Sequence, residues 1–312
     1  MNHVRLGYAC INLSLGPSGR TSRTCRLSNA TPEHLEELSR RNLMGLTNVL
    51  RWNLSHRISV FRISSGIIPL ASHPKAQWPW KQRLRREISS VGDLARKHGM
   101  RLSMHPGQYT VLNSPREYVV AAAAAELSYH ATFLDAMGLT SEHKIVLHVG
   151  GVYGDREASM RRFRENFESV PVNVRCRLVL ENDERNYGVY DVLNLCDSIG
   201  LPMVFDYLHH RAYTGRVPNS AIMKRALATW SDSDGRPELH YSTQKRQARI
   251  GAHADMIDVK DFIRFIDDLP RRTVDIILEA KAKDKALLRL RRDLQGVNFG
   301  SIVSSMRHDL QN

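Results

Sequence analysis

The stretch Arg101-Leu-Ser-Met-His-Pro-Gly-Gln-Tyr109 is apolar up to His105, turns at Pro106-Gly107, and then holds out Gln108 and Tyr109. A strand that ends on an imidazole and opens into a tight loop is one unit of an α/β fold seen at its functional rim. The same transition recurs along the chain. Val4 to Cys10, Val60 to Ile63, Met100 to His105, Lys144 to His148, Arg177 to Glu181, Met203 to Asp206, Glu238 to Tyr241 and Val274 to Glu279 all read as strands, most of them ending on a polar residue.

Between them lie segments of helical period. Thr31-Pro32-Glu33 supplies an N-cap, a first-turn proline and an acidic first turn for a helix carrying Leu35, Leu38, Leu46, Val49 and Leu50. A second helix runs through Leu84, Ile88, Val91 and Ala95 and is closed by His98-Gly99. The spacing predicts further helices over Pro115 to Met137, Arg156 to Phe167, Val189 to Ile199 (stopped by Gly200), Ser220 to Trp230, Val259 to Leu269 and Lys283 to Leu294. Ala121 to Ala125 sits inside one of them and reads as core, because small side chains permit close packing. Apolar strands alternating with amphipathic helices imply parallel pairing through right-handed crossovers, and eight such units imply a closed (β/α)8 barrel. A doubly wound open sheet fits less well, since neither G-x-G-x-x-G nor G-x-x-x-x-G-K-[ST] occurs. The barrel is expected over 1–295, with a tail over 296–312.

Composition narrows the class. With 42% apolar residues in 312, the chain can bury a large core. No apolar run is long enough to cross a bilayer and no secretory h-region stands at the start, so a soluble cytoplasmic protein without membrane association is expected. Cys10, Cys25, Cys176 and Cys196 lack C-x-x-C spacing and read as reduced, mostly buried thiols. The net charge of +13 attracts polyanions and puts nucleic acid among the expected partners.

A barrel gathers the carboxyl ends of its strands on one face. Here those ends carry His105, His148, Glu181, Asp206, His240 and Glu279, and the loops beyond them add His73, His209 and His253. One such histidine is usually a hydrogen-bonded structural residue. Nine ligand-type groups on one rim are not explained that way, because burying many ionisable groups together needs a counter-charge. So many imidazoles and carboxylates exceed the needs of one tetrahedral ion, which points to two or three divalent ions, with Glu181 and Glu279 as bridging carboxylates. Asp206-x-x-His209 lets one turn deliver two ligands, with His210 structural. Asp183, Glu184, Asp255 and Asp258 are outer partners or capping carboxylates, and Ser64-Ser65 are loop donors, since no G-x-S-x-G elbow exists. Arg20, Arg23, Arg26, Lys75, Lys81, Arg83, Arg211, Arg246 and Arg249 could border the same face and grip phosphates.

Leu6-Gly-Tyr8 with Asn12, Arg62-Ile-Ser-Ser65 leading to Ser72-His-Pro74, Ser103-Met-His-Pro-Gly-Gln-Tyr109, His148-x-Gly-Gly151, Leu180-Glu-Asn-Asp183, Asp206-x-x-His-His210, His240-x-Ser242, His253-Ala-Asp255 and Leu278-Glu-Ala-Lys281 together resemble the UV damage endonucleases. The likeness runs from about residue 4 to residue 290. Such proteins are TIM barrels, related to the endonuclease IV type of abasic-site nuclease, that hold divalent metals, often manganese. They nick DNA 5′ to ultraviolet photoproducts without ATP. The resemblance implies a metal set of His73, His105, His148, Glu181, Asp206, His209, His240, His253 and Glu279. It implies catalytic work by Glu181, Glu279, His240 and Glu238, a duplex probe made of Gln108 and Tyr109, and a place near the lesion for Tyr8 and Asn12. It further implies manganese in preference to zinc, magnesium or iron, a lesion-distorted double-stranded DNA partner, a monomer, and a nucleoid-associated location. One departure concerns Glu238: family members commonly carry there a lysine that can be carboxylated into a ligand, and a glutamate offers direct ligation on a shorter stem. The competing expectations are an abasic-site nuclease, a sugar isomerase-like metal barrel, and a DNA-binding protein with an inactive metal site.

Overall fold

The computed structural model describes residues 4–270 and 273–295. Eight parallel strands, β1 (Val4–Ala9), β2 (Val60–Ile63), β3 (Arg101–Met104), β4 (Ile145–His148), β5 (Leu178–Glu181), β6 (Met203–Asp206), β7 (Glu238–Tyr241) and β8 (Val274–Leu278), close in sequence order into a barrel. The helices are α1 (Pro32–Ser55), α2 (Trp80–Arg83), α3 (Arg85–Lys97), α4 (Glu117–Ala136), α5 (Arg156–Ser169), α6 (Val172–Arg175), α7 (Val189–Ile199), α8 (Tyr207–Thr214), α9 (Ser220–Ala228), α10 (Val259–Asp267) and α11 (Lys283–Gln295). The expected (β/α)8 barrel is the fold; the expected tail over 296–312 lies outside the described residues.

Local chemistry sets the boundaries. Thr31 caps α1 by accepting from the His34 amide at 3.2 Å, and Pro32 occupies its first turn. Gly200 ends α7 in the left-handed region at φ 69°, where a Cβ would be strained. Leu35, Leu43, Leu46, Val49 and Leu50 of α1 are buried against the barrel, each contributing roughly 1.5–3 kcal/mol by leaving water.

Several elements differ from expectation. β4 starts at Ile145 because Lys144 turns its ammonium to Asp234 at 2.7 Å. The turn after β6 is not a loop: α8 begins at once, capped by Asp206, whose Oδ1 accepts from the His209 amide at 2.6 Å. The alanine run of α4 is mostly not core: Ala123 is buried, while Ala121, Ala122 and Ala125 are exposed along a groove of about 860 Å³ shared with Tyr118 and Gly107. The thiols are free, but only Cys196 is buried and Cys176 is exposed.

The barrel interior is unusually polar. At its amino end Asp275, fully buried, accepts both Arg5 contacts at 2.6 Å and lies 3.3 Å from Arg236 and 3.6 Å from Arg101. One layer higher, Ser103 donates to Glu238 at 3.2 Å. Two small apolar clusters, Val146-Val179-Val204-Trp230 and Ala9-Val60-Ile277, fill the remaining interior.

Candidate metal centre and nucleic-acid face

The register brings the functional side chains level. His148 pairs with Glu181 across β4 and β5, Asp206 pairs with His240 across β6 and β7, and the Glu279 amide donates to Tyr241 at 2.9 Å just beyond β8. Glu181 is 1% exposed and sits in the middle. Its Oε2 lies 2.9 Å from His105 Nε2 and 3.3 Å from His148 Nε2; its Oε1 lies 2.9 Å from His240 Nδ1 and 3.5 Å from His209 Nδ1. Three sets of potential ligand atoms result: His105-His148-Glu181, Glu181-Asp206-His209 and Glu181-His240-Glu279. Glu181 belongs to all three.

Backbone carbonyls orient the rings. His105 Nδ1 donates to Pro106 O at 3.1 Å and His253 Nδ1 to Glu279 O at 2.7 Å, which leaves each Nε2 free as a ligand. His253 also lies 3.7 Å from the Glu279 carboxylate. His209 joins Glu181 and Asp206, whereas His210 packs on Phe205 with ring centroids 5.6 Å apart. His73 stands in none of the three sets; its ring accepts from the Lys75 amide at 3.2 Å.

Electrostatics favour added cations. Burial would raise the Glu181 carboxyl, yet His240, His148 and His105 hold it well below the usual carboxylate range. Burial likewise opposes charge on Glu279, which Arg62 and His240 nevertheless keep low. Burial opposes the His209 cation, but Asp206, Glu181, Glu279 and Glu184 push the ring up to about 9, and Glu181 with Glu238 raises His240 well above its ordinary value. Burial lowers His105 to about 4 and raises Asp206. His148 Nδ1, Asp206 Oδ2 and Glu238 Oε2 are buried without a hydrogen-bond partner. A donor set of imidazoles and ionised carboxylates with unused lone pairs fits divalent ions, which supply the missing positive charge.

Glu238 lies beneath the three sets. Side chains alternate along a strand, so the residue two before His240 shares its face but lies one layer deeper, about 6.6 Å down the barrel. Its Oε1 accepts from His240 Nε2 at 3.2 Å, and it belongs to none of the three sets. It therefore orients His240, presenting Nδ1 to Glu181 and Glu279.

Tyr8 and Asn12 pack inward. Tyr8 is fully buried and donates to Asn53 at 2.7 Å, while Asn12, 1% exposed, donates to the Tyr8 hydroxyl at 2.8 Å. These bonds tie β1 to α1.

The probe loop has the opposite character. Ser65 Oγ anchors His105 O at 2.6 Å and the Thr110 amide closes the turn on Gly107 O at 2.9 Å, so the loop is fixed while Tyr109 is 84% exposed. A cleft of about 770 Å³ runs from this loop past His105 and His148 to Glu184 and Asn186. Backbone strain marks the same end of the barrel: of the described non-glycine residues with left-handed φ, Cys10, Leu70, Tyr153, Gln247 and Lys283 all follow strand carboxyl ends, and only Arg57 does not.

Sequence reasoning assigned no role to two residues. Arg62 on β2 forms an ion pair with Glu279, and a lone arginine in an apolar strand was the available signal. Asn182 spans β5 and β6, donating to Asp206 O at 3.1 Å and accepting from the Asp206 amide at 2.9 Å. Among the candidate outer carboxylates, Asp183 accepts from the Arg185 amide at 2.7 Å and the Tyr187 amide at 3.1 Å, and Asp258 caps α10. Of the basic residues, Arg23 donates to backbone carbonyls, Arg83 pairs with Glu36 and Arg211 with Asp261. Lys75, Arg246 and Arg249 remain exposed.

A closed barrel with a buried histidine and carboxylate cluster at the carboxyl ends of its strands belongs to the class of TIM barrels, and that cluster could hold a metal ion. A family profile described as UV-endonuclease UvdE matches residues 4–309, and the chain belongs to that family of endonucleases. A UV DNA damage endonuclease of Clostridium perfringens is 32% identical over 99% of this chain and 75% of its own length. One from Bacillus pumilus is 37% identical over 85% of this chain and 84% of its own. The crystal structure of SacUVDE superposes with a TM-score of 0.88 at 41% identity, covering 94% of this chain and 98% of that one. Endonuclease IV from Thermus thermophilus shares the fold, with a TM-score of 0.59 and 15% identity over 94% of this chain and 100% of that one.

Proposed function

We propose that the chain nicks double-stranded DNA immediately 5′ to ultraviolet photoproducts by metal-dependent hydrolysis, leaving a 3′-hydroxyl. The observation that carries this is Glu181, a buried carboxylate shared by three sets of ligand atoms below an exposed, rigid Gln-Tyr loop. The proposed ligands are His73, His105, His148, Glu181, Asp206, His209, His240, His253 and Glu279, around two or three divalent ions, manganese before zinc, magnesium or iron. Bound there, such ions lower the pKa of a water and neutralise the leaving oxygen.

The chain's own residues do the rest. Glu238 fixes the His240 tautomer, and Asn182 holds the Asp206 backbone between β5 and β6. Arg62 keeps Glu279 ionised and oriented. Photoproducts weaken stacking, so extruding the damaged dinucleotide costs less than extruding intact bases. Gln108 and Tyr109 enter the vacated space, the Tyr ring stacking and Gln offering hydrogen bonds.

End-labelled duplexes carrying one pyrimidine dimer, one abasic site or no lesion, incubated with and without chelator, test this reading. A chelator-sensitive cut just 5′ to the dimer is expected. Cutting confined to the abasic duplex, or cutting that survives chelation, contradicts it.

A further inference from the structure

On the far side of the centre from the probe, residues 243–254 lie in the loop that joins β7 to α10. Strands pair in sequence order around a closed ring of eight, so the β3 and β7 loops stand opposite each other across its mouth. The β7 loop is built rather than slack. Gln244 and His253 bridge in antiparallel fashion, the Lys245 amide donates to Ala252 O at 2.7 Å, and the Ala254 amide to Thr243 O at 2.8 Å. Across the loop the Gln244 side-chain amide donates to Lys245 O at 3.0 Å and Arg249 O at 2.9 Å and accepts from the Gly251 amide at 2.8 Å. The Lys281 amide donates to Ala254 O at 3.0 Å, which ties the β8 extension to the same frame.

Against this frame lies a cavity of about 410 Å³ lined by Lys245, Arg249 and Lys281 together with His209 and His253. The carboxylate that lines it, Glu184, has His209 at 3.9 Å and Arg185 at 3.6 Å. Lys245 keeps only a 3.9 Å approach to exposed Asp255, so the wall retains an excess of positive charge. Among the described residues, no Phe, Tyr or Trp lines it. Cations without a stacking surface, beside two imidazoles of the metal centre, suit a phosphate and not a base.

We propose that this cavity is a phosphate seat for the strand being cut, holding the phosphate next to the hydrolysed bond through Lys245, Arg249 and Lys281. The inference rests on the proposed nicking of DNA and extends it: the strand crosses the barrel mouth, read at the β3 loop and held at the β7 loop. The frame that positions these cations also carries His253, so the grip and the metal centre share one rigid support.

The test compares wild type with Lys245→Ala/Arg249→Ala, with Arg249→Lys and with Lys281→Ala. Duplex affinity over a range of salt, KM and kcat on a dimer-bearing duplex, metal content, and competition by inorganic phosphate are measured. The double variant is expected to raise KM about tenfold with metal content unchanged, and to flatten the log affinity against log salt slope by about 0.9 per cation removed. Arg249→Lys is expected to restore most of the loss. Should the double variant misfold, Lys281→Ala carries the same slope prediction alone. Unchanged KM and slope overturn the seat, as does a loss of bound metal, which would make the loop a support for His253. Phosphate competing in wild type with duplex affinity insensitive to the substitutions assigns the cavity to a free anion and overturns the DNA role. Because affinity for undamaged duplex is also read, the comparison stands even if the dimer is not cut, and the two failures are told apart.

Discussion

Replacing Glu181 by Gln keeps its volume but removes the charge that four imidazoles surround, at 2.9 Å from His105 and His240, 3.3 Å from His148 and 3.5 Å from His209. Glu181→Gln is expected to lose metal and to reduce nicking by more than the roughly 10- to 100-fold that partners of metal ligands are worth. Glu238→Ala falls within that range in metal affinity, because His240 loses the acceptor for its Nε2 while Nδ1 still faces Glu181; calorimetric titration with the metal checks it. At this scale the convergence of side chains was legible wherever they stood at strand ends, since register makes strand ends level. The depth of Glu238 was not legible, because proximity in sequence hides what strand alternation imposes. The partner of the Tyr8 hydroxyl was not legible, because a motif residue says nothing of which neighbour takes it, here Asn53.

In the proposed function the β3 unit joins recognition to chemistry, since His105 lies against Glu181 and Tyr109, four residues on, is 84% exposed. Gln108→Ala with Tyr109→Ala is expected to weaken incision of damaged duplex strongly while leaving metal content intact; loss of metal in that variant contradicts a probe role. Elsewhere the hydrophobic period and the caps made most strands and helices readable. Helix α8 was not, because its start depends on Asp206 accepting from the His209 amide, a bond that serves capping and ligand placement together. The alanine run of α4 was misread because small side chains permit close packing without requiring it, and here they leave a groove open beside the probe loop.

For the whole molecule, buried neutral histidines couple folding to pH. Burial and the Arg101 charge lower His143 to about 4, and its Nδ1 accepts from the Leu102 amide at 3.0 Å. The unfolded chain takes up that proton near pH 6.5 and the folded chain does not, so stability is full above about 6.5 and falls as pH drops towards 4. The shift corresponds to roughly 3 kcal/mol at the acid end. His130, also lowered by burial, adds to it. His209 and His240, both raised, act in the opposite sense, so the check is a comparison: between pH 7.5 and pH 5, denaturant unfolding is expected to show His143→Gln losing less stability, or gaining more, than wild type. The net charge of +13 and the cationic β7 loop together predict duplex binding that weakens steeply with salt.

The account turns on Glu181 as the shared ligand of a multi-ion centre. Metal per folded chain, determined by elemental mass spectrometry after loading with manganese and desalting, tests this directly in wild type and Glu181→Gln. Two or three ions in wild type and at most one in the folded variant are predicted. A variant that folds and retains the wild-type complement contradicts the shared-ligand centre.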